Sequence, residues 1–300
     1  MFAGPNGSGK SSARDPVLKG FHGQYINADD IAVSLTNQIS DYTERNTLAA
    51  NMAEQQRKAC MKSGESFAFE TVMSTPEKVA ILSQARALGF SVDMVFVTTE
   101  DASINVQRVA ARVEKGLHSV PEDKIRSRYV DTMKLLPVAL GHVDNALIYD
   151  NSVPDSAALL VATKEGFAAP LMVMPDASIP DWARITLKQQ MDARHESLAY
   201  LASMLKKDFD LAPQVRLADA SHGMGYEGRV IAATAFHALQ EQVVRPGGVP
   251  SFVVHDLALT QQKNLIQGTH SVVSYEYKFG KIVSAPLEPK KINQIQIDRG

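Results

Sequence analysis

The stretch Gly4-Pro5-Asn6-Gly7-Ser8-Gly9-Lys10-Ser11 has the form GxxxxGK[ST] and decides the fold of the first half of the chain. Gly4, Gly7 and Gly9 free the backbone of Cβ atoms, so that successive N–H groups converge on phosphate oxygens. Lys10 reaches the outer phosphates as a point charge, and the Ser11 hydroxyl offers a ligand to Mg²⁺ while opening a helix whose positive end favours anions. The motif is a P-loop for the phosphates of a nucleotide, and Asn6, Ser8 and Ser12 complete its candidate binding set. A P-loop follows a buried strand, yet only Met1, Phe2 and Ala3 precede Gly4. The first strand is therefore expected to be very short or to begin ahead of this sequence, with the loop anchored less firmly than usual.

Downstream, a short helix is expected over Lys10 to about Leu18 and a strand over Phe21 to Ile26. The strand runs into Asn27-Ala28-Asp29-Asp30, two carboxylates where the γ-phosphate or its metal would lie. We assign Asp29 as general base and Asp30 as cap of a helix starting at Ile31. Apolar residues at helical spacing continue to about Lys62. Ser66 to Val72 is a strand whose apolar run breaks at Glu70 and Thr71, at the carboxyl end where open parallel sheets gather ligands. Thr75-Pro76-Glu77 starts a helix with a capping side chain and proline in the first turn, ended by Gly89. Val92 to Thr98 is the next strand. Strand and helix in alternation predict an α/β fold, a parallel sheet flanked by helices.

Asp101 to Gly116 reads as a helix bearing Arg108 and Arg112. After the Gly116-Leu117-His118-Ser119-Val120-Pro121 loop comes another, bearing Arg126 and Arg128. Arginines flanking such a loop suit a lid that folds onto transferring phosphate, although a solvated basic face gives the same pattern. His118 is a candidate substrate contact and lacks the spacing of a zinc ligand. Ala146 to Ser152 is expected to be the last strand of the sheet.

The whole chain has 300 residues, 45% hydrophobic and 21% charged, with a net charge of −2. That suits two domains or one with an appendage, and offers no general attraction for nucleic acid or anionic membranes. Cys60 is the single cysteine, expected to be buried. Without a signal peptide or a membrane-length apolar run, a cytoplasmic location is expected.

Six stretches in this order resemble the zeta toxin family: the P-loop, Tyr25 to Asp30, Phe67-Ala-Phe-Glu-Thr71, Gly116 to Pro121, Lys124 to Tyr129 and Tyr149-Asp-Asn151. The resemblance covers about half the chain. It implies a P-loop kinase that transfers the ATP γ-phosphate to a hydroxyl of a nucleotide sugar such as UDP-N-acetylglucosamine, and a toxin with an antitoxin partner. It assigns phosphate and Mg²⁺ to Lys10 and Ser11, proton abstraction to Asp29, sugar contacts to Glu70 and Thr71, and charge stabilisation to Arg108, Arg112, Arg126 or Arg128. This chain reads Glu70-Thr71-Val72 where the antitoxin-paired toxins carry a Glu-Gly-Thr type of strand end, so the acceptor does not carry over directly.

A kinase-like domain is expected over residues 1–165, a helical linker over 166–222, a small β-rich module over 223–285 and a tail over 286–300. The module resembles the KfrB-type domain of plasmid-encoded proteins through Gly228 to Thr234, His237 to Gln240, Val254 to Leu257 and Tyr275 to Gly280. Its expected role is binding, with Lys290-Lys291 too small a basic cluster to imply DNA. His255 and Asp256 are neighbours in an expected strand and point to opposite faces, so they make no catalytic pair. Two other functions stay open: a nucleotide-dependent binding protein in plasmid maintenance, and a polynucleotide 5′-kinase.

Overall fold

The structure, a computed structural model, describes residues 1–115, 119–176, 178–205, 213–242, 249–262 and 264–277. Its larger sheet is built from β1 (Phe2–Ala3), β2 (Gln24–Ile26), β3 (Phe67–Thr71), β4 (Asp93–Thr98), β5 (Asn145–Asp150), β6 (Leu159–Glu165) and β7 (Met172–Val173). They lie in the order β2-β3-β1-β4-β5-β6-β7, the first five parallel and the last two antiparallel. β1 has only two residues, but β3 and β4 hold it from both sides, with Phe2 opposite Glu70 and Val95. The Val95 amide also donates to Met1 O at 2.9 Å. A short strand was expected, but its central position anchors the loop that follows better than its length suggested.

The helices are α1 (Lys10–Val17), α2 (Ala28–Ser34), α3 (Tyr42–Ser63), α4 (Pro76–Ala87), α5 (Ala102–Glu114), α6 (Glu122–Leu140) and α7 (Lys188–Leu205), the last continuing from a π-helical turn at Trp182–Leu187. Helices cover both faces of the parallel strands, so β4 carries an unbroken apolar run from Met94 to Val97 rather than alternating. Met94 and Phe96 are buried with Leu82, Leu136 and Leu140 on one face, while Val95 and Val97 join Phe2 and Ala68 on the other.

Two expectations need correction. β5 is not the last strand, because β6 and β7 add antiparallel partners beyond it. Nor is 166–222 a purely helical linker: Leu171-Met-Val-Met174, which reads as an extra strand, holds β7, and β8 (Gln214–Leu217) lies beyond α7. β8 joins a second sheet with β9 (Gly225–Ala233), β10 (His237–Gln242), β11 (Ser251–Asp256) and β12 (His270–Ser274), in the order β12-β9-β10-β11-β8. β9 alternates buried Tyr226, Gly228, Val230 and Ala232 with more exposed neighbours, as a strand with one covered face should. The tail over 286–300 and the end of the module beyond residue 277 lie outside the described residues.

One core runs through both sheets. Met61 and Leu82 belong to the same apolar cluster as Ala218, Tyr226, Val253 and Tyr275. Ser83 Oγ donates to Ala218 O at 2.9 Å and accepts from the Ala220 amide at 3.0 Å, so the seam is hydrogen-bonded as well as greasy. Cys60 is buried as expected. His255 is buried too, its ring bonding the Tyr275 hydroxyl at 2.8 Å and Gln240 Oε1 at 3.2 Å, while Asp256 pairs with Arg194.

Candidate active site

The P-loop crosses from the end of β1 to the start of α1 and packs so tightly that side chains are excluded. Gly4 has φ +146°, and a Cβ there would lie 1.9 Å from Val97 O. Gly9 caps α1 at φ +93°, where a Cβ would lie 2.3 Å from Asn151 Nδ2. Gly7 lies against the backbone of Asn105. Two asparagines distant in sequence pin the carbonyls: Asn105 Nδ2 donates to Asn6 O at 2.6 Å, and Asn151 Nδ2 to Ser8 O at 2.8 Å. These ties fix the loop's outer contour; in the first turn of α1 the Ser12 amide donates to Gly9 O at 3.1 Å, while the amides of Lys10 and Ser11 ahead of it have no intrahelical acceptor and suit an anion. Ser8 Oγ is buried with no hydrogen-bond partner among the described residues.

Lys10 is 7% exposed and folds back over the loop, donating from Nζ to Gly4 O and Pro5 O at 2.9 Å each. Glu70 Oε1 stands 3.9 Å from the same nitrogen. Burial lowers the Lys10 pKa from its ordinary value, Glu70 and Asp29 oppose that, and Arg112 adds to it. Lys10, Glu70, Asp29 and Arg112 thus share one electrostatic neighbourhood, at the carboxyl ends of the central strands.

Glu70 is the penultimate residue of β3, and its other oxygen accepts from the Tyr25 hydroxyl at 3.3 Å. Arg14 approaches that hydroxyl at 3.3 Å and lies over the Tyr25 ring at 5.1 Å. Thr71 Oγ1 accepts from the Met73 amide at 3.1 Å, so its hydroxyl helps form the turn after β3. Asp29 and Asp30 are both exposed in the first turn of α2. Neither caps the helix. Asn27 does, its side chain accepting from the Asp29 amide at 2.9 Å, and α2 starts at Ala28 instead of Ile31.

The arginines divide. Arg128 Nη1 reaches Asn6 Oδ1 at 3.4 Å and so meets the P-loop. Arg108 is half-buried on α5, one of its Nη atoms enclosed without a hydrogen-bond partner among the described residues. Arg126 is not brought to the loop by its own bonds: it is exposed and paired with Glu122 at 2.8 Å. His118 and its Gly116-Leu117 neighbours lie outside the described residues. Ser11 and Ser12 are exposed in the first turn of α1.

The cradle fits the phosphates of a nucleotide, on two observations: glycines at positions a Cβ would fill, and a buried lysine whose donors are satisfied only by the loop's own carbonyls. Mg²⁺ would be held through the Ser11 hydroxyl together with the phosphates. Among the described residues no group of three His, Cys, Asp or Glu side chains could hold a metal by itself. No helix among them is long and apolar enough to cross a membrane. Sequence reasoning missed Asn105, Asn151, Tyr25 and Arg14 as parts of the site. Tyr25 and Asn151 stood inside quoted motifs, but nothing local to them states which backbone atom they meet.

A Haemophilus influenzae protein, described only as an uncharacterized protein, is 28% identical over 133 residues, 43% of this chain and 90% of its own. A solved structure from the PezAT chromosomal toxin-antitoxin system of Streptococcus pneumoniae is 16% identical, covers 67% of this chain and 86% of that one, and has a TM-score of 0.42. Residues 1–134 match the family described as AAA domain, and residues 225–284 match the KfrB Domain, as its motifs led us to expect.

Proposed function

We propose that the chain is a phosphotransferase that moves the γ-phosphate of ATP to a hydroxyl group, with a nucleotide sugar of the UDP-N-acetylglucosamine kind as acceptor. The observation that carries this reading is the placement of carboxylates at the phosphate cradle: Glu70 stands 3.9 Å from Lys10 Nζ, and the charge of Asp29 is felt by the same lysine. A nucleotide switch needs the cradle alone. A kinase also needs an acid to receive the acceptor's proton and another to orient the acceptor, each at a strand end facing the γ-phosphate.

In this scheme the amides opening α1 and Lys10 hold the β- and γ-phosphates, and bound Mg²⁺ supplies charge neutralisation beside Ser11. Asp29, exposed and close to Lys10, takes the acceptor's proton. Glu70, oriented by Tyr25, receives a sugar hydroxyl, with Thr71 beside it. Arg128 and Arg112 supply positive charge as the phosphoryl group leaves ADP, with Arg108 beside them on α5. Positioning and electrostatics then carry most of the rate. The C-terminal module binds a partner, and a toxin role with an antitoxin follows from the zeta toxin resemblance. With no membrane-length helix described, we assign the activity to the cytoplasm.

The test is transfer of labelled γ-phosphate by the purified chain to a panel of UDP-sugars and a 5′-hydroxyl oligonucleotide, with Lys10→Ala as control. Labelled sugar that disappears in Lys10→Ala is the expected result. Labelled oligonucleotide would replace the acceptor, and no transfer to either would favour a nucleotide-dependent binding protein.

A further inference from the structure

Between α3, α4 and the second sheet lies a cavity of about 430 Å³. None of its lining residues belongs to the P-loop, the carboxylate pair or the arginines described above. Its volume is in the range of small-molecule sites. Its charged lining is Glu54, Arg57 and Lys58 from α3 with Glu77 and Lys78 from α4, three cations against two carboxylates, with Ile81 beside them and His222 and Tyr277 contributed by the C-terminal region.

Arg57 is the unusual group. It is 7% exposed, its guanidinium lies over the Phe69 ring at 5.3 Å, and its Nε is enclosed without a hydrogen-bond partner. Among the described residues it forms no ion pair. Glu54, the acid whose charge partly offsets its burial, is paired with Lys58 at 2.6 Å. Lys78 also lacks an ion pair among the described residues, and burial followed by the charge of Arg57 lowers its pKa against the opposing charges of Glu77 and Glu54. A buried cation with an enclosed, unused donor costs stability, and a second cation beside it adds to that cost. Packing does not explain the pair, because an apolar side chain would fill the same space more cheaply. An anion in the cavity would satisfy both.

We propose that this cavity binds a small organic anion, its phosphate or carboxylate group held by Arg57 and Lys78 and its body lying on Ile81 toward Tyr277. Guanidinium and ammonium groups side by side provide forked and point-like donors for an oxyanion. The walls come from both halves of the chain, so the ligand touches the kinase-like region and the C-terminal region together. The site does not rest on the proposed phosphotransfer, since it shares no residue with that machinery.

Thermal unfolding of the full chain carrying Lys10→Ala, which removes the P-loop cation, separates this site from the nucleotide cradle. The probes are inorganic phosphate, adenosine 5′-monophosphate and citrate. At least one should raise the unfolding midpoint in a dose-dependent way, and the response to phosphate compounds against citrate identifies the anionic group. Adding Arg57→Met or Lys78→Met should weaken that response about tenfold or more. Lys78 is only half-buried, so its variant keeps the test usable if Arg57→Met does not fold. A midpoint that no probe moves, or a response undiminished by the substitutions, would overturn the proposal.

Discussion

Lys10 shows how the site is held ready. Its ammonium is buried against Gly4 O and Pro5 O, so binding phosphate exchanges carbonyl contacts for phosphate oxygens without first stripping water from an exposed side chain. The contour into which it folds depends on Asn105 and Asn151, which bond Asn6 O and Ser8 O from 99 and 143 residues away. Asn151→Ala should raise KM for ATP severalfold with a smaller change in kcat, since it loosens the cradle without touching the reacting atoms. Steady-state kinetics against ATP checks this. Gly4→Ala should cost several kcal/mol in denaturant unfolding, because its Cβ would strike Val97 O and the positive φ is strained for alanine. The P-loop glycines and Lys10 were legible because their spacing is local. The asparagines were not, because their partners lie across the fold. Assigning Asp30 as cap failed for a related reason: Asn27, three residues earlier, has the extended backbone of a cap and occupies the position first.

Among the elements, strand and helix alternation was legible from Lys10 to Asp150, because each parallel strand is a compact apolar run and each helix carries a stripe or a stop signal. Thr75 does precede α4, with Pro76 in the first turn, but its side chain makes no capping bond. The antiparallel addition of β6 and β7 was not legible, since sequence names a strand without naming its neighbour. β8 was missed because its four residues leave Val215 exposed and carry no apolar run. Along the last helix Leu201 and Leu205 are buried, whereas Leu198, and Ile185 in the π-helical turn before it, face solvent. The joint between α4 and the second sheet is testable at one atom. Ser83→Ala removes the hydroxyl that bonds Ala218 O and the Ala220 amide, leaving both backbone groups unpaired in a buried seam. It should lower stability by about 1–3 kcal/mol in a denaturant titration.

At the scale of the whole molecule, the two sheets are tied by a buried charged network. Asp256 meets Arg194 of α7 and stands 3.7 Å from His142 of the kinase-like half, while His237 bonds Ser197 at 2.8 Å. Burial alone would raise the Asp256 pKa, but the nearby His142 ring and the Arg194 charge overcome it and hold the group at about 2. Asp256→Ala would leave Arg194 buried without its partner, a loss of about 3–5 kcal/mol. Burial lowers His237 and His255 to about 4 each. The unfolded chain then takes up protons between pH 6.5 and 4 that the folded chain refuses, so stability from these rings is full above pH 6.5 and drains as pH falls toward 4. A pH series of unfolding midpoints should show this decline. Asp256 adds its own loss below pH 3.8, toward 2.

The central claim is that a carboxylate beside the phosphate cradle takes the acceptor's proton. Asp29→Asn and Lys10→Ala, compared in parallel for ATP affinity and for labelled phosphate transfer to a UDP-sugar, test it most directly. Asp29→Asn should bind ATP nearly as the parent does and lose transfer by roughly 10²–10⁴-fold, while Lys10→Ala loses both. Transfer at near-parental rate in Asp29→Asn would contradict the account.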